Sequence, residues 1–241
     1  KLAKQSGALD TRWSRRLPDG ADPSHVTVSR DAGGRWFASL LVAETITPYA
    51  PTDAAVGLVA GITTLVTLST GEKITNPKHE KKDRAKLVKA QRNLARKQKG
   101  SNNRAEARLK VAKVYARIAD RRRDHLHKLT TRIVRENQTI VIEDLAVRNM
   151  VKNRSLARAI SDASWSELRR MLEYKADWYG REVIAIDRWY PSSKTCSDCG
   201  HVLRSLPLNV REWVCAECGT VHDRDVNAAK VIRAAGLAVQ A

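Results

Sequence analysis

Residues 196–227, CSDCGHVLRSLPLNVREWVCAECGTVHDRDVN, decide how the rest of the chain is read. Cys196 and Cys199 form one C-x-x-C pair and Cys215 and Cys218 a second, with fifteen residues (200–214) between the pairs. Each pair presents two thiolates from one knuckle, and the intervening residues form a short hairpin that brings the knuckles together, as a tetrahedral zinc site requires. Disulfides are the competing reading. All four cysteines sit in these pairs and no signal peptide is recognisable, so thiolates around a structural zinc are expected. Directly after the fourth cysteine, the run His222-Asp223-Arg224-Asp225-Val226-Asn227-Ala228-Ala229 places a carboxylate where the cysteine module hands over to a helix expected over 226–235. Metal module and acidic site are therefore built side by side, inside something larger.

The 241 residues allow one sizeable core and a smaller appendage. With 44 Lys and Arg against 26 Asp and Glu, the formal charge is +18, which favours a phosphate polyanion as partner. A membrane partner is disfavoured: the longest weakly polar run, 54–69, is shorter than a span and is interrupted by Gly57, Gly61 and several threonines. The expected setting is the cytoplasm, at the nucleoid when bound. The chain opens on Lys1 and not on Met, which points to a piece of a longer protein.

Outward from the cysteines toward the N-terminus, residues 9–44 read as extended. Polar and apolar residues alternate over 26–29, an aromatic and aliphatic run follows over 35–42, and Asp31-Ala32-Gly33-Gly34 supplies the turn. A partner strand is expected over 11–17, and Trp13 and Trp36 are expected in the core. Residues 47–53, with Pro48 and Pro51, form a linker. The run 56–68 predicts two buried strands at the centre of a sheet covered on both faces.

The character then changes. Between 76 and 128 stand 19 Lys or Arg and 5 Asp or Glu, on a helical pattern broken at Gly100-Ser101-Asn102-Asn103. One sign of charge dominates this helical hairpin, which points to phosphate contact through Lys86, Lys89, Arg92, Arg96, Arg108, Arg121 and Arg122. A short apolar strand over 139–145 ends in Glu143 and Asp144, and a carboxylate at the tip of a buried strand is costly unless it is paired or binds a cation. Residues 151–180 predict a helix whose aromatics, Trp165 and Trp178, lie in the core. Gly180 ends it, and 181–187 form another strand.

Taken together, Ile142-Glu143-Asp144-Leu145, Tyr190-Pro191-Ser192-Ser193-Lys194-Thr195-Cys196, both cysteine pairs and Asp223-Arg224-Asp225-Val226-Asn227-Ala228-Ala229 resemble the RuvC-like half of the OrfB/TnpB family, transposon-encoded proteins related to type V CRISPR effectors. The resemblance implies an α/β, RNase H-like (RuvC) core carrying an inserted basic helical hairpin and an inserted zinc ribbon, preceded by a partial β-barrel segment. The implied division is a barrel-like segment over 1–50, the core over 51–190 with its hairpin over 76–136, the ribbon over 191–222 and the last core helix over 223–241. It further implies DNA and a transposon-end guide RNA as partners, structural Zn²⁺, and DNA cleavage by three carboxylates and two Mg²⁺ ions. Two-metal cleavage needs those carboxylates on separate elements, holding the ions about 4 Å apart. Glu143 and Asp225 match the second and third acids.

The first acid is missing. Where the family opens its core strand with a Gly-Ile-Asp-Leu-Gly-Ile frame, this chain has Gly57-Leu58-Val59-Ala60-Gly61-Ile62, and Val59 offers no oxygen to a hard cation. Asp53 cannot substitute, being six residues, or about 20 Å of strand, away. Val231 stands where the family usually has Asn, and the family's first barrel strands and helical recognition lobe lie upstream of Lys1 or are absent. The leading expectation is a DNA- and RNA-binding protein of the transposase type that no longer cuts. The alternatives are a decayed transposon remnant and an active RNA-guided endonuclease.

Overall fold

The computed structural model describes residues 10–14 and 16–240. Its centre is a five-stranded mixed sheet of β3 (Ala55–Ala60), β4 (Thr64–Leu68), β5 (Lys73–Thr75), β6 (Thr139–Glu143) and β7 (Glu182–Ile186), in the order β5-β4-β3-β6-β7. A tight reversal at 61–63 makes β3 and β4 antiparallel, and β5 continues the meander. The long excursion between β5 and β6 lets β6 return parallel to β3, as a crossover must. β7 is parallel to β6 in turn.

Helices cover both faces. On one face α2 (Asn102–Glu136) and α5 (Trp165–Tyr179) bring Leu126, Ile133, Leu168 and Leu172 onto Val56, Leu58, Ile140 and Ile142. On the other, α6 (Arg224–Gln240) sets Ile232 on Val141 and Ile186. The apolar strands of the centre are thus buried from two sides, as their composition implied. Gly57 fixes how close α6 comes: a Cβ there would stand 2.1 Å from the Ala229 carbonyl oxygen. A Cβ at Gly236 would stand 2.3 Å from a methyl of Val141, so small residues on both partners set the helix against the sheet.

The basic hairpin is α1 (His79–Ala95) folded back on the lower part of α2. Ser101 caps α2 by accepting the Arg104 N–H, which accounts for the break expected at 100–103. The α2 helix is about 50 Å long; its upper part belongs to the core and its lower part carries the hairpin away from it.

Several expectations are corrected. Before the hairpin of β1 (His25–Arg30) and β2 (Trp36–Leu41), no strand forms over the described part of 11–17. Trp13 and Trp36 are exposed, not core, because this two-stranded ribbon stands clear of the main sheet, held to α2 through Arg35 and Asp120. The helix expected over 151–180 is broken: α3 (Val147–Met150) and turns precede α4 (Ala157–Ala163), and left-handed Ser164 separates α4 from α5. Trp165 is buried as expected, but Trp178 lies half exposed with its ring edge-on to Tyr174. Gly180 ends α5 in the left-handed region, and the helix expected over 226–235 runs longer at both ends.

Candidate metal centre and nucleic-acid interface

The four cysteines converge. Their sulfurs all lie within 4.8 Å of one another, with Cys196 Sγ 3.7 Å from Cys218 Sγ and Cys199 Sγ 3.6 Å from Cys215 Sγ. A tetrahedron with zinc–sulfur bonds of about 2.3 Å has edges of about 3.8 Å, so this donor set fits Zn²⁺. Both knuckles close with the backbone bonds expected of them, Gly200 N–H to Cys196 O and Gly219 N–H to Cys215 O. The pairs are joined by the small hairpin of β8 (Glu212–Val214) and β9 (Val221–Asp223).

Two residues that the sequence reading left without a role hold this module in place. His222 Nε2 lies 3.0 Å from Cys196 Sγ, a distance at which the ring N–H donates to a thiolate. Asn227, buried on the first turns of α6, donates to Thr195 O at 2.7 Å and accepts the Ser197 N–H at 2.9 Å, stapling the first knuckle to the helix. Their signal was adjacency alone: both stand in the motif around Asp225, where the acids drew attention first.

No linker separates β9 from α6. Asp223 ends the strand, and its Oδ1 accepts the Asp225 and Val226 N–H groups at 3.1 and 3.0 Å, capping the helix. Its other oxygen takes Lys73 Nζ at 2.5 Å. This capping frees Asp225 to project from the first helical turn, where Arg211 is the nearest cation at 3.9 Å.

Glu143 ends β6 beside it. Leu58 pairs with Ile142, so Val59 and Glu143 are the next neighbours across β3 and β6, and Val59 packs with Val141 and Ile186 on the face covered by α6. Glu143, two residues beyond Val141 and paired with Ile186, shares that face. Burial pushes the Glu143 carboxyl up to about 7, Asp225 adds to the rise, and the donating Ala60 N–H opposes it. Val59, Glu143 and Asp225 thus meet at one end of the sheet.

The neighbouring acids of the two motifs, Asp144 and Asp223, are engaged elsewhere. Asp144 is held by Arg169 at 2.8 Å and by Arg188, which keep its carboxyl below the usual range. Asp223 is engaged as cap and ion pair, and Asp53 precedes the opposite end of β3.

The predicted phosphate contacts divide. Lys86, Lys89, Arg92 and Arg96 line an open trough of about 1130 Å³ on α1, together with Lys81, Arg84 and Lys110 and with no acid in its lining. Arg108 is exposed on α2. Arg121 and Arg122 are partnered within the fold: Arg121, half exposed, pairs with buried Asp83 at 3.0 Å, and Arg122 donates to Ser161 O and Ser164 Oγ. These bonds tie the hairpin to itself and to α4, and Lys86 reaches the same Asp83 at 3.4 Å.

A family model described as a probable transposase, OrfB_IS605, matches residues 28–154, and one described as Cas12f1-like, TNB domain, matches 165–232. A relative from Streptomyces pristinaespiralis, named "Putative RNA-guided DNA endonuclease", is 70% identical over 240 residues, covering 100% of this chain and 60% of its own length. The similarly named InsQ of Escherichia coli (strain K12) is 39% identical over 90% of this chain and 58% of its own length. The chain therefore spans about three fifths of these relatives. A solved Cas12f1 complex with sgRNA and target DNA has the same mixed α/β fold, with a TM-score of 0.61 at 19% identity, over 88% of this chain and 46% of that one. Since the transposase model alone takes in more than half of the 241 residues, the chain belongs to the OrfB/TnpB family of transposases and RNA-guided nucleases.

Proposed function

We propose that this chain is the nucleic-acid-gripping, non-cutting form of an RNA-guided nuclease core: an RNase H-like domain over 51–190 and 223–241, with a zinc ribbon over 191–222 and a partial barrel segment before it. Guide RNA and target DNA are its partners. One observation carries the reading: Val59 stands beside Glu143 on the face that also receives Asp225, so the site holds two carboxylates and a hydrocarbon.

The residues present fit one metal and not the other. Cys196, Cys199, Cys215 and Cys218 would hold a structural zinc, which closes the module and leaves no open coordination position for catalysis. A pair of Mg²⁺ ions needs oxygen ligands on three elements, and Val59 supplies none, so no cleavage step is assigned to this chain. Glu143, held near neutral, can move a proton at its carboxyl but has no partner group that would bring both ions to a phosphate. Grip on phosphate falls to the trough on α1, whose Lys and Arg release counterions when they engage a backbone.

The test joins this chain to the remainder of a relative's length, supplies guide and target, and compares Val59 with Val59→Asp. Absence of Mg²⁺-dependent cutting with Val59, with guide and target still bound, is expected. Cutting at a rate near that of a Val59→Asp protein would overturn the proposal.

A further inference from the structure

The two cysteines of each knuckle are not equivalent. Cys196 and Cys215, the first of each pair, are 1% exposed, whereas Cys199 and Cys218, the second, lie at the surface. The inner thiols are enclosed by Trp213 with Leu203, Leu206 and Val210, and the His222 ring nitrogen lies 3.0 Å from Cys196 Sγ. Outside, each exposed cysteine is followed by a glycine in the left-handed region, Gly200 at φ 76° and Gly219 at φ 74°, and a Cβ at either would meet nothing within 4 Å. Solvent reaches one sulfur of each knuckle and not the other.

Each exposed sulfur also has a neighbour on the opposite knuckle. Cys218 Sγ is 3.7 Å from Cys196 Sγ and Cys199 Sγ is 3.6 Å from Cys215 Sγ, so a disulfide between the knuckles needs only a small movement. Zinc holds its cysteine ligands as thiolates, the nucleophilic form, at neutral pH. Two reactive sulfurs therefore stand in solvent, each with a second thiolate beside it.

The module is tied to the acid pair as well. Asn227 Nδ2 donates to Thr195 O and its Oδ1 accepts the Ser197 N–H, one residue on either side of Cys196, and Asp223 caps α6 directly behind the ribbon. A change at the knuckles is passed to the first turns of α6, and so to Asp225.

We infer that the cysteine module is a peroxide-sensitive redox switch, in which oxidation at Cys199 or Cys218 expels the zinc and releases the start of α6. The inference rests on the zinc reading above and adds a regulation to it. The exposed thiolate attacks hydrogen peroxide; an S–O bond forms as the O–O bond breaks, leaving a sulfenic acid and hydroxide. A thiolate of the opposite knuckle then displaces the second hydroxide and forms the disulfide, so that two thiolates give up the two electrons that the peroxide takes. Only half of the donor set remains for the zinc, and a closed structural site needs all of it.

The experiment titrates the zinc-loaded chain with hydrogen peroxide, reads free zinc with a metallochromic indicator, and maps sulfenic acids and disulfides by mass spectrometry after dimedone trapping and alkylation. Zinc release in step with disulfide formation is expected, with sulfenic acid trapped at Cys199 or Cys218 and the disulfide joining the two knuckles. Amide exchange should rise over 196–227, and dithiothreitol with added zinc should restore it. The double variant Cys199→His with Cys218→His keeps a four-ligand site without an exposed sulfur, and should release zinc about tenfold more slowly or less readily still. Trapping on the unsubstituted chain decides the matter even where the double variant binds no zinc. Sulfenic acid first at Cys196 or Cys215, a disulfide between two chains, or release from the double variant as fast as from the unsubstituted chain overturns the inference. An unsubstituted chain that holds no zinc before peroxide is added would instead defeat the zinc reading itself.

Discussion

The cysteine cluster and the acid pair lie next to each other, yet on the proposed reading one donor set is complete and the other is not. The four thiols come from two knuckles within 23 residues of sequence (196–218), in a module whose own apolar cluster is small, Trp213 with Leu203, Leu206 and Val210. Losing one of them costs the local fold. Val59, Glu143 and Asp225 come from three elements that pack for reasons of their own. An apolar side chain at 59 joins Val141, Ile186 and Ile232, so the fold gains burial at the position where a third carboxylate would serve the proposed chemistry. On that reading a structural site is guarded by stability, whereas a catalytic site in the same molecule can be lost without harming it.

The most damaging way to probe that contrast is Cys215→Ser. A structural zinc site contributes about 10–16 kcal/mol to folding of its module, so the variant should lose its metal, and amide protection should collapse over 196–223 while the sheet keeps its own. Elemental analysis and hydrogen exchange check both halves, and intact protection of β8 and β9 without metal would break the contrast.

Glu143 gives a smaller effect with a definite sign. Its folded-state value of about 7 lies above the ordinary 4.5, so its stabilising contribution is complete below pH 4.5 and is lost as pH rises through 7. The loss amounts to at most about 3 kcal/mol. Melts at pH 5 and pH 8 without Mg²⁺ should show it, and Glu143→Gln should remove most of the difference. If the Glu143→Gln variant were as steeply pH-dependent as the wild type, the burial argument for this carboxyl would fail.

Val59→Asp sharpens the comparison from the other side. In the absence of divalent cation, a third acid beside Glu143 and Asp225 replaces apolar contacts with repulsion and should cost about 1–3 kcal/mol. Added Mg²⁺ should raise the melting temperature of the variant more than that of the wild type, which calorimetry reads directly.

The smallest expected effect is on grip. Affinity for duplex DNA in Mg²⁺-free, zinc-containing buffer should match that with Mg²⁺ once ionic strength is held constant. Reversing Lys86, Lys89, Arg92 and Arg96 to Glu should instead flatten the log–log salt slope by about 3 to 4, one contact's worth per residue.

Much of this was legible before the fold was known. The paired cysteines, the apolar strands and the one-signed helical hairpin each follow from spacing or period, and the matching frame located Val59. What stayed hidden depends on three-dimensional neighbours. Arg121 and Arg122 read as unpartnered cations because sequence does not display Asp83 across the hairpin or the turn at Ser161 and Ser164. Trp36 read as core because alternation marks a strand without saying whether a second sheet covers it. His222 and Asn227 carry no period at all, and their work is visible only once a sulfur and a carbonyl lie beside them.

The direct passage from Asp223 into α6 makes the two neighbouring sites a single mechanical register. A helix advances about 100° per residue, so one residue inserted between Asp223 and Asp225 would swing the acid to another side of the helix, or else force Gly57 and Gly236 out from under the atoms they clear. A surface loop away from both sites can lengthen or shorten at far smaller cost. This junction cannot, and its spelling is under a constraint of counting as strict as that of a codon frame.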